Sequence, residues 1–392
     1  MNARISFDEI TPTQLRRGGG PKWSLGDDVI GAQVAEMDFG TAPRVTDALR
    51  ASIASGRLGY PGSELQASTA SVTARWYADS YGWAVAPEYV QPVGDVITTL
   101  KVAIEHYSTA GSAVIVPTPT YMKFLTVPRA MGRRIIEVPL LEDGGRYAMD
   151  LEALAAAFTG GGGILLLCNP FNPTGTVFGR AELLAISEVV AEHDGRVFAD
   201  EVHAPLVYDD AQHVPYASVS PTSAEHTVTG TSAAKAWNLA GLKCAQVLFS
   251  NAADAARWPE IAPVHGHGAS TLGLVATTAA YDEGRSWLDD VQHYLDGNRK
   301  LLAELVAEHL PGVRYTPPDG TYVGWLDLRA LDLGDDVAEF FRHRAGVALT
   351  DGRTCGANGR GHARLIFATP RPVLREVVER MGRAVTRSTD VA

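Results

Sequence analysis

Residues 164–175 read ILLLCNPFNPTG, an apolar run that stops at a turn rich in asparagine, proline and glycine. A short apolar run bounded by turn residues is typical of a strand buried inside a sheet. Comparable short runs lie at 114–116, 135–138 and 196–199, and each ends at a proline or an aspartate. The chain is therefore expected to contain a sheet whose strands are buried on both faces.

Longer stretches with one apolar face alternate with these runs. Residues 95–107 and 180–193 have the apolar spacing of amphipathic helices. This alternation predicts an α/β fold with a mainly parallel central sheet. After about Ser286 the pattern changes to a long helical stretch, a turn, a strand at 322–328 and two further helical stretches, which together predict a smaller α+β domain.

The length of 392 residues suits two domains better than one. We expect residues 46–285 to form a large α/β domain and residues 286–392 a small C-terminal domain. Residues 1–45 are expected to form an N-terminal segment that joins the small domain.

The composition, 46% hydrophobic and 20% charged, is that of a globular protein. Acidic residues outnumber basic ones by 45 to 34, which gives a formal net charge of -11 and disfavours nucleic acid and anionic membranes as partners. The start of the chain, Met1–Glu9, lacks the apolar stretch of a signal peptide, and there is no long uncharged apolar run. A cytoplasmic protein is expected.

Cysteine and histidine usage gives no sign of a disulfide framework or a metal site. The cysteines at 168, 244 and 355 are odd in number and widely spaced; the first two are predicted to be buried, and Cys355 has no assigned role. His265 and His267 lie close together, but no carboxylate or cysteine near them in the sequence completes a ligand set. We expect them to be solvated in a loop, with no metal bound.

Polar residues follow three of the predicted strands. Ligands of parallel sheets bind beyond the carboxyl ends of the strands, so Asn172, Asp200 and Lys235 are candidate site residues. Each has a simpler alternative: a turn residue for Asn172, a helix N-cap for Asp200 and a solvated side chain for Lys235. A partly desolvated lysine, by contrast, has a lowered pKa and attacks carbonyl groups.

The order of these motifs resembles a known family. The runs at 169–175, 199–203 and 232–235 are similar to the signature of class I/II pyridoxal-phosphate (PLP) enzymes. The runs VAEMDF at 34–39 and KAWNLAGLK at 235–243 further resemble the cystathionine β-lyase, or carbon–sulfur lyase, branch. The resemblance covers nearly the whole chain and implies the aspartate-aminotransferase fold, PLP fold type I.

The resemblance implies roles around the cofactor ring. Lys235 would form the Schiff base with PLP and then remove the substrate's Cα proton, and Asp200 would keep the ring nitrogen protonated. Asn172 and His203 would contact the phenolic oxygen, while Tyr121 would stack on the ring. Packing roles remain as alternatives for His203 and Tyr121.

The phosphate group would be held at the helix start Gly94–Val96, by the Ser232 hydroxyl and by Lys243, which replaces the arginine of many aminotransferases. Asp95 is expected to cap the helix with its side chain turned away, because a carboxylate repels phosphate. Tyr60 resembles a tyrosine that reaches the neighbouring subunit's phosphate. A homodimer with shared active sites is therefore expected.

Two further residues are assigned to the substrate by resemblance. Arg364 would grip its α-carboxylate, and Ala35 would line its binding site. The expected reaction is β-elimination from L-cystathionine or a related cysteine S-conjugate to homocysteine or another thiol, pyruvate and ammonia, a step of methionine biosynthesis. An aminotransferase is the main alternative, and a regulatory protein that keeps the fold but binds another protein is the second.

Overall fold

The computed structural model describes residues 7–208 and 211–389. Residues 1–6 and 390–392, which belong to the predicted first and third segments, lie outside the described residues. The strands are β1 (Ile30–Gly31), β2 (Val90–Val93), β3 (Ala113–Thr118), β4 (Ile135–Pro139), β5 (Leu141–Asp143), β6 (Arg146–Ala148), β7 (Gly162–Cys168), β8 (Arg196–Asp200), β9 (Thr227–Thr231), β10 (Ala245–Phe249), β11 (Arg314–Tyr315), β12 (Val323–Asp327), β13 (Val347–Ala348), β14 (Thr350–Asp351) and β15 (His362–Ile366).

The α-helices follow the amphipathic stretches of the sequence. They are α1 (Pro12–Gly18), α2 (Pro43–Ala54), α3 (Ser63–Tyr81), α4 (Val96–His106), α5 (Met122–Ala130), α6 (Leu151–Thr159), α7 (Arg180–Glu192), α8 (Pro221–Glu225), α9 (Ala252–Ala255), α10 (Trp258–His265), α11 (Thr271–Glu283), α12 (Arg285–His309), α13 (Val337–Ala345) and α14 (Arg371–Thr389).

The main sheet has, within the described residues, seven strands in the order β2-β10-β9-β8-β7-β3-β4. Neighbouring strands from β9 to β4 run parallel, and β10 runs antiparallel to both of its neighbours. Ile164 to Leu167 in β7 are fully buried, as a continuous apolar strand covered on both faces must be. The predicted α/β class with a mainly parallel sheet is confirmed.

Helices lie between successive parallel strands and bring the strand ends to one edge. Helix α7 connects β7 to β8, and α4 follows β2 directly. Asp95 is the N-cap of α4 and accepts a hydrogen bond from the Thr98 backbone N–H at 2.9 Å. The residues after β2, β3, β7, β8 and β9 therefore meet beyond the carboxyl ends of these parallel strands.

A smaller sheet, in the order β11-β12-β15-β14, carries the C-terminal part of the chain. Trp325 in β12 pairs with Arg364 in β15. The N-terminal segment joins this part because Ile30 in β1 pairs in parallel with Val347 in β13. The domain boundary predicted at 285/286 falls at the start of α12 and stays a prediction. Among the described residues, no helix combines the length and apolarity needed to cross a bilayer.

Candidate active site

A cavity of about 240 Å³ lies beyond the carboxyl ends of the central strands. Most of the predicted site residues line it, although they come from sequence positions up to about two hundred apart. These lining residues are Ala35, Gly94, Asp95, Val96, Tyr121, Asn172, Asp200, His203, Ser232, Lys235 and Lys243. Of the other two predicted residues, Arg364 contacts a lining residue and Tyr60 lies outside the cavity.

Lys235 follows β9 and extends its amine into the cavity. Its Nζ donates a hydrogen bond to the Ala35 carbonyl oxygen at 2.8 Å, and the Tyr322 hydroxyl donates to the same oxygen at 3.0 Å. Burial, together with the positive charge of Arg364, lowers the pKa of Lys235 to about 8. About one tenth of this amine is therefore unprotonated at pH 7, far more than for an ordinary lysine, and the unprotonated form is the nucleophile.

Asp200 is the last residue of β8 and is buried. One carboxylate oxygen accepts a hydrogen bond from the Val202 N–H at 3.1 Å. Burial raises the pKa of Asp200 to about 7, although that hydrogen bond and the positive charge of Lys235 oppose the rise. A buried carboxyl group with one local donor suits a cationic partner in the cavity, such as a protonated ring nitrogen.

His203 is buried three residues beyond Asp200 and packs edge-to-face on Tyr322, with ring centroids 5.7 Å apart. Burial and the nearby positive charges of Lys235 and Arg364 lower the pKa of His203 to about 3, so the ring is neutral. Its Nδ1 is buried and finds no hydrogen-bond partner among the residues described. A ligand oxygen in the cavity would satisfy this nitrogen.

Arg364 and Asn172 form a hydrogen-bonded pair. The Nη1 of Arg364 donates to Asn172 Oδ1 at 3.2 Å, which orients the Asn172 amide so that its N–H₂ group remains for another acceptor. Arg364 Nη2 donates to the Gln33 carbonyl at 3.1 Å and to Thr350 Oγ1 at 3.3 Å. These supports were absent from the sequence analysis, since neither Gln33 nor Thr350 lies near residue 364 in the chain.

The Nε of Arg364 is buried and has no hydrogen-bond acceptor in the part of the chain that is described. Such a donor is costly to leave unpaired. It is therefore available to an anionic group, and a carboxylate suits the guanidinium geometry.

Lys243 and Asp95 form an ion pair in the wall of the cavity where helix α4 begins. Lys243 Nζ lies 3.0 Å from Asp95 Oδ2, while Oδ1 of Asp95 caps the helix. The expected capping is present, but the carboxylate is not turned away from the cavity as we predicted. The attraction of Lys243 explains this orientation. Burial alone would raise the pKa of Asp95, but the hydrogen bonds from Thr98 and Lys243 outweigh it and lower the pKa below its usual value.

Gly94 and Ser232 complete this end of the cavity. A methyl group on Gly94 would lie 3.0 Å from the Gly268 carbonyl oxygen, so a side chain there would require the Gly268 loop to shift by a few tenths of an ångström. The Ser232 hydroxyl donates to the Cys244 carbonyl at 2.6 Å and accepts from the Ala234 N–H at 3.0 Å. The first N–H groups of α4 lack partners inside the helix and are suited to bind an anion.

The two predicted tyrosines differ sharply in exposure. Tyr121 follows β3, is half-buried and faces the cavity, with its ring 5.9 Å from that of Phe124. Tyr60 is fully exposed and lines a separate depression together with Lys243 and Thr271. Within one chain, Tyr60 therefore takes no part in the cavity.

Asn238 connects the two runs that carry the resemblance to the lyase branch, although it was not among the predicted site residues. Its Oδ1 accepts from the Met37 N–H at 3.0 Å, and its Nδ2 donates to the Met37 carbonyl at 2.9 Å. Thr41 adds a hydrogen bond to the Trp237 carbonyl at 2.6 Å. These hydrogen bonds fix the backbone that presents the Ala35 carbonyl to Lys235. The sequence contained one indication of this contact, because the runs at 34–39 and 235–243 both resemble the same lyase branch.

The remaining cysteine and histidine expectations had different outcomes. Cys168, Cys244 and Cys355 are all buried free thiols, and burial raises the pKa of Cys355.

His265 is the last residue of helix α10 rather than part of a loop, and its Nε2 lies 3.5 Å from Glu105 Oε2. The expectation of a solvated pair without a carboxylate is therefore wrong for His265, whereas His267 is exposed.

The cavity presents a lysine amine, a buried carboxyl group and a helix N-terminus in one enclosed space. These groups fit, respectively, the aldehyde, the ring nitrogen and the phosphate of pyridoxal 5'-phosphate, and the unpartnered His203 nitrogen fits its phenolic oxygen. Fold and cavity together define an α/β enzyme that uses a lysine-bound cofactor.

The chain belongs to the aminotransferase class I and II family, whose model matches residues 27–381. A cystathionine beta-lyase of Corynebacterium glutamicum is 39% identical over 379 residues, which are 96% of this chain and 99% of the relative. A solved structure from Corynebacterium diphtheriae, 40% identical, superposes with a TM-score of 0.91 and covers 96% of this chain and 98% of its own.

Cystalysin from Treponema denticola, whose crystal structure contains pyridoxal 5'-phosphate, is 27% identical with a TM-score of 0.91, over 98% of this chain and all of its own. The predicted family, its carbon–sulfur lyase branch and PLP fold type I are confirmed.

Proposed function

We propose that this protein is a PLP-dependent β-lyase that cleaves the carbon–sulfur bond of L-cystathionine or related cysteine S-conjugates. The observation that supports a PLP enzyme most directly is the Lys235 amine, with its lowered pKa, in one cavity with the buried Asp200. The 39% identity over nearly full length to a relative named cystathionine beta-lyase favours elimination over amino transfer.

The residues that line the cavity would hold the cofactor and determine how strongly its ring withdraws electrons. Pyridoxal 5'-phosphate, when bound, withdraws electrons from the substrate's Cα and so makes the Cα proton acidic. Asp200 would hold a proton on the ring nitrogen, while the Asn172 amide and His203 would contact the phenolic oxygen. Tyr121, which lines the cavity, would stack on the ring. Without Asp200 the electron withdrawal is weak, because a neutral ring nitrogen attracts electrons poorly.

The start of α4, from Gly94 to Val96, would hold the phosphate, with the Ser232 oxygen and Lys243 nearby. Lys243 supplies a positive charge, part of which Asp95 offsets at 3.0 Å. The backbone N–H groups of the helix start therefore carry much of the attraction for the phosphate.

Lys235 and Arg364 act on the substrate. The Nε of Arg364, together with an Nη group, binds the α-carboxylate and orients the Cα–H bond toward Lys235. The Lys235 amine takes the Cα proton, and the thiolate leaves from Cβ. The three-carbon fragment leaves as an enamine that water converts to pyruvate and ammonia, so cystathionine and water give homocysteine, pyruvate and ammonia.

We propose that the active form is a homodimer in the cytoplasm. Tyr60 is fully exposed and is placed beside Lys243, at the phosphate end of the cavity, where it is suited to reach a second subunit. The three buried free thiols suit a reducing compartment.

The decisive experiment incubates the purified holoenzyme with L-cystathionine in the absence of any keto acid and follows pyruvate and free thiol together. Equal amounts of both, absent from Lys235→Ala, are expected. Amino-group transfer that begins only when a keto acid is added would overturn the lyase in favour of an aminotransferase. A bound cofactor with neither reaction would favour the regulatory alternative.

A further inference from the structure

Three potential metal ligands meet on the surface where helices α4 and α10 end. Glu105 and His106 are the last two residues of α4, and His265 is the last residue of α10. Their ligand atoms all lie within 4.8 Å of one another. This cluster is separate from the cavity and takes no part in the lyase mechanism above.

The distances suit a small divalent cation. Glu105 Oε2 lies 3.8 Å from His106 Nε2 and 3.5 Å from His265 Nε2. In a tetrahedral zinc site with bonds of about 2.0–2.1 Å, neighbouring ligand atoms are roughly 3.3 Å apart. The two carboxylate–imidazole separations are thus too long for good hydrogen bonds and only slightly longer than those of a zinc site.

His106 provides a second observation. Its Nε2 is buried, yet it makes no hydrogen bond with any described part of the chain. The imidazole rings of His106 and His265 are edge-to-face, with centroids 5.4 Å apart. A cation between the three groups would satisfy a nitrogen that otherwise lacks a partner.

The exposures of the three side chains define how such an ion would be reached. His265 and His106 are 14% and 27% exposed, whereas Glu105 is 53% exposed and free to move inward. The nearby cation Arg257 lies 5.0 Å over the Tyr107 ring and supplies no ligand. Three protein ligands leave a fourth coordination position for water on the side of Glu105.

We propose that Glu105, His106 and His265 bind a borderline divalent transition metal, with Zn²⁺ as the best match. The His₂Glu donor set is one that zinc accepts, and imidazole ligands exclude magnesium and calcium as strong competitors.

The ion has a structural role rather than a catalytic one. Helix α4 has 11 residues, so its cofactor-binding start lies about 16 Å from the cluster. Metal binding joins the end of α4 to the end of α10. The loop that follows α10 includes Gly268, which contacts Gly94. The ion therefore stabilises the loop that packs against the phosphate end of the cavity.

Zinc binding to the tag-free holoenzyme tests the proposal. Zn²⁺ is titrated in competition with a chromophoric chelator, and Co²⁺ is used separately because its visible absorption reports tetrahedral coordination. We expect one ion per chain and a raised midpoint of thermal unfolding with zinc. His106→Ala and His265→Ala should each weaken binding at least about tenfold.

His309→Ala is the matched control. His309 ends helix α12 beside Glu308, with an imidazole–carboxylate distance of 3.7 Å and 27% exposure, but it is not part of a three-ligand cluster. Its loss should leave zinc affinity unchanged. Glu105→Gln, at an exposed position, provides a further variant if a histidine substitution impairs folding. Absent binding, or equal affinity in wild type and the cluster variants, would overturn the proposal.

Discussion

Asn238 is a positioning residue whose side chain holds the Met37 backbone through two hydrogen bonds. In Asn238→Ala the segment that contains Gln33 loses this support, and the Gln33 carbonyl holds Arg364, so substrate binding should suffer more than the chemical step. We expect KM for cystathionine to rise about tenfold, which corresponds to about 1.4 kcal/mol, with a smaller change in kcat. Steady-state kinetics on the holoenzyme measures both parameters.

Asn298→Ala is the control for this change. The Asn298 amide also donates two hydrogen bonds to backbone carbonyls, those of Phe367 and Thr369, both at 2.8 Å, and it is buried. Both variants should lose stability by about 1–3 kcal/mol. If KM rises equally in both, the effect of Asn238 is one of general stability and the positioning role is wrong.

Asp200 and Lys235 predict a distinctive pH dependence for the stability of the cofactor-free protein. Burial raises the pKa of Asp200 from 3.8 to about 7, so the native state keeps a proton that the unfolded chain has released, and stability falls as pH rises across that interval. The pKa of Lys235 is lowered from 10.5 to about 8, so stability recovers as pH rises from 8 to 10.5.

Urea unfolding of the cofactor-free protein at several pH values measures these slopes. Asp200→Asn should remove a downward slope of up to about 1.4 kcal/mol per pH unit between pH 4 and 7. Lys235→Met should remove the rise above pH 8. If the unfolding free energy of both variants depended on pH in the same way as that of the wild type, the pKa shifts attributed to Asp200 and Lys235 would be wrong.

At the scale of elements, the N-terminal segment depends on a buried ion pair. Lys22 Nζ and Asp38 Oδ2 are 2.8 Å apart, and Trp23 Nε1 donates to the other Asp38 oxygen at 2.8 Å. Asp38→Ala leaves the Lys22 ammonium buried without its counter-charge and should cost about 3–5 kcal/mol of unfolding free energy. Denaturant unfolding of the holoenzyme measures this loss.

An exposed ion pair gives the comparison. Asp335 pairs with Arg360, and both side chains are about two-thirds exposed. Asp335→Ala should cost less than about 1 kcal/mol, because water screens the pair and hydrates the remaining arginine. Similar losses in Asp38→Ala and Asp335→Ala would contradict the assignment of Asp38 as an anchor of the segment.

Strands with uninterrupted apolar runs could be predicted from the sequence, whereas strands that contain polar residues or proline were harder to predict. Strands β7 and β8 were recognised because every residue from Ile164 to Leu167 and from Val197 to Ala199 is buried, which requires an apolar run. Strand β2, with the sequence VQPV, was not predicted, and its proline is unfavourable in the interior of a sheet. It is tolerated here because β2 lies at the edge of the sheet.

The site residues could be listed from the sequence but their contacts could not. Asp200 ends a strand and Asn172 and Lys235 follow strands, and the order of parallel strands brings these strand ends together. The contacts of Lys235 with Ala35 and of Glu105 with His265 join residues about 200 and 160 positions apart, and no local pattern encodes them. The ion pair of Asp95 with Lys243 was missed for the same reason.

At the scale of the whole molecule, the proposed dimer predicts that an impaired variant and an inactive variant regain activity when they are combined in one dimer. Tyr60→Phe should impair the partner's cofactor site, and Lys235→Ala abolishes activity in its own site. In a hybrid dimer, the Lys235→Ala subunit supplies an intact Tyr60 to the other subunit's site. After unfolding and refolding of an equal mixture, activity should return to roughly a quarter of wild type.

Each variant refolded alone controls for this experiment. If the mixture is no more active than the average of the two, Tyr60 acts within its own chain or has no part in cofactor binding. Size-exclusion chromatography of each sample establishes that the proteins are dimeric before activities are compared.

The pairing of β1 with β13 has a consequence for how the protein is made. Ile30 leaves the ribosome more than three hundred residues before its partner Val347, and Arg364 follows later still. A nascent chain can therefore complete the large sheet but not the substrate side of the cavity, which needs Gln33 and Arg364 in contact. The contact between Gln33 and Arg364 therefore forms only after all strands of the large sheet have been made, and until then the N-terminal segment lacks this partner.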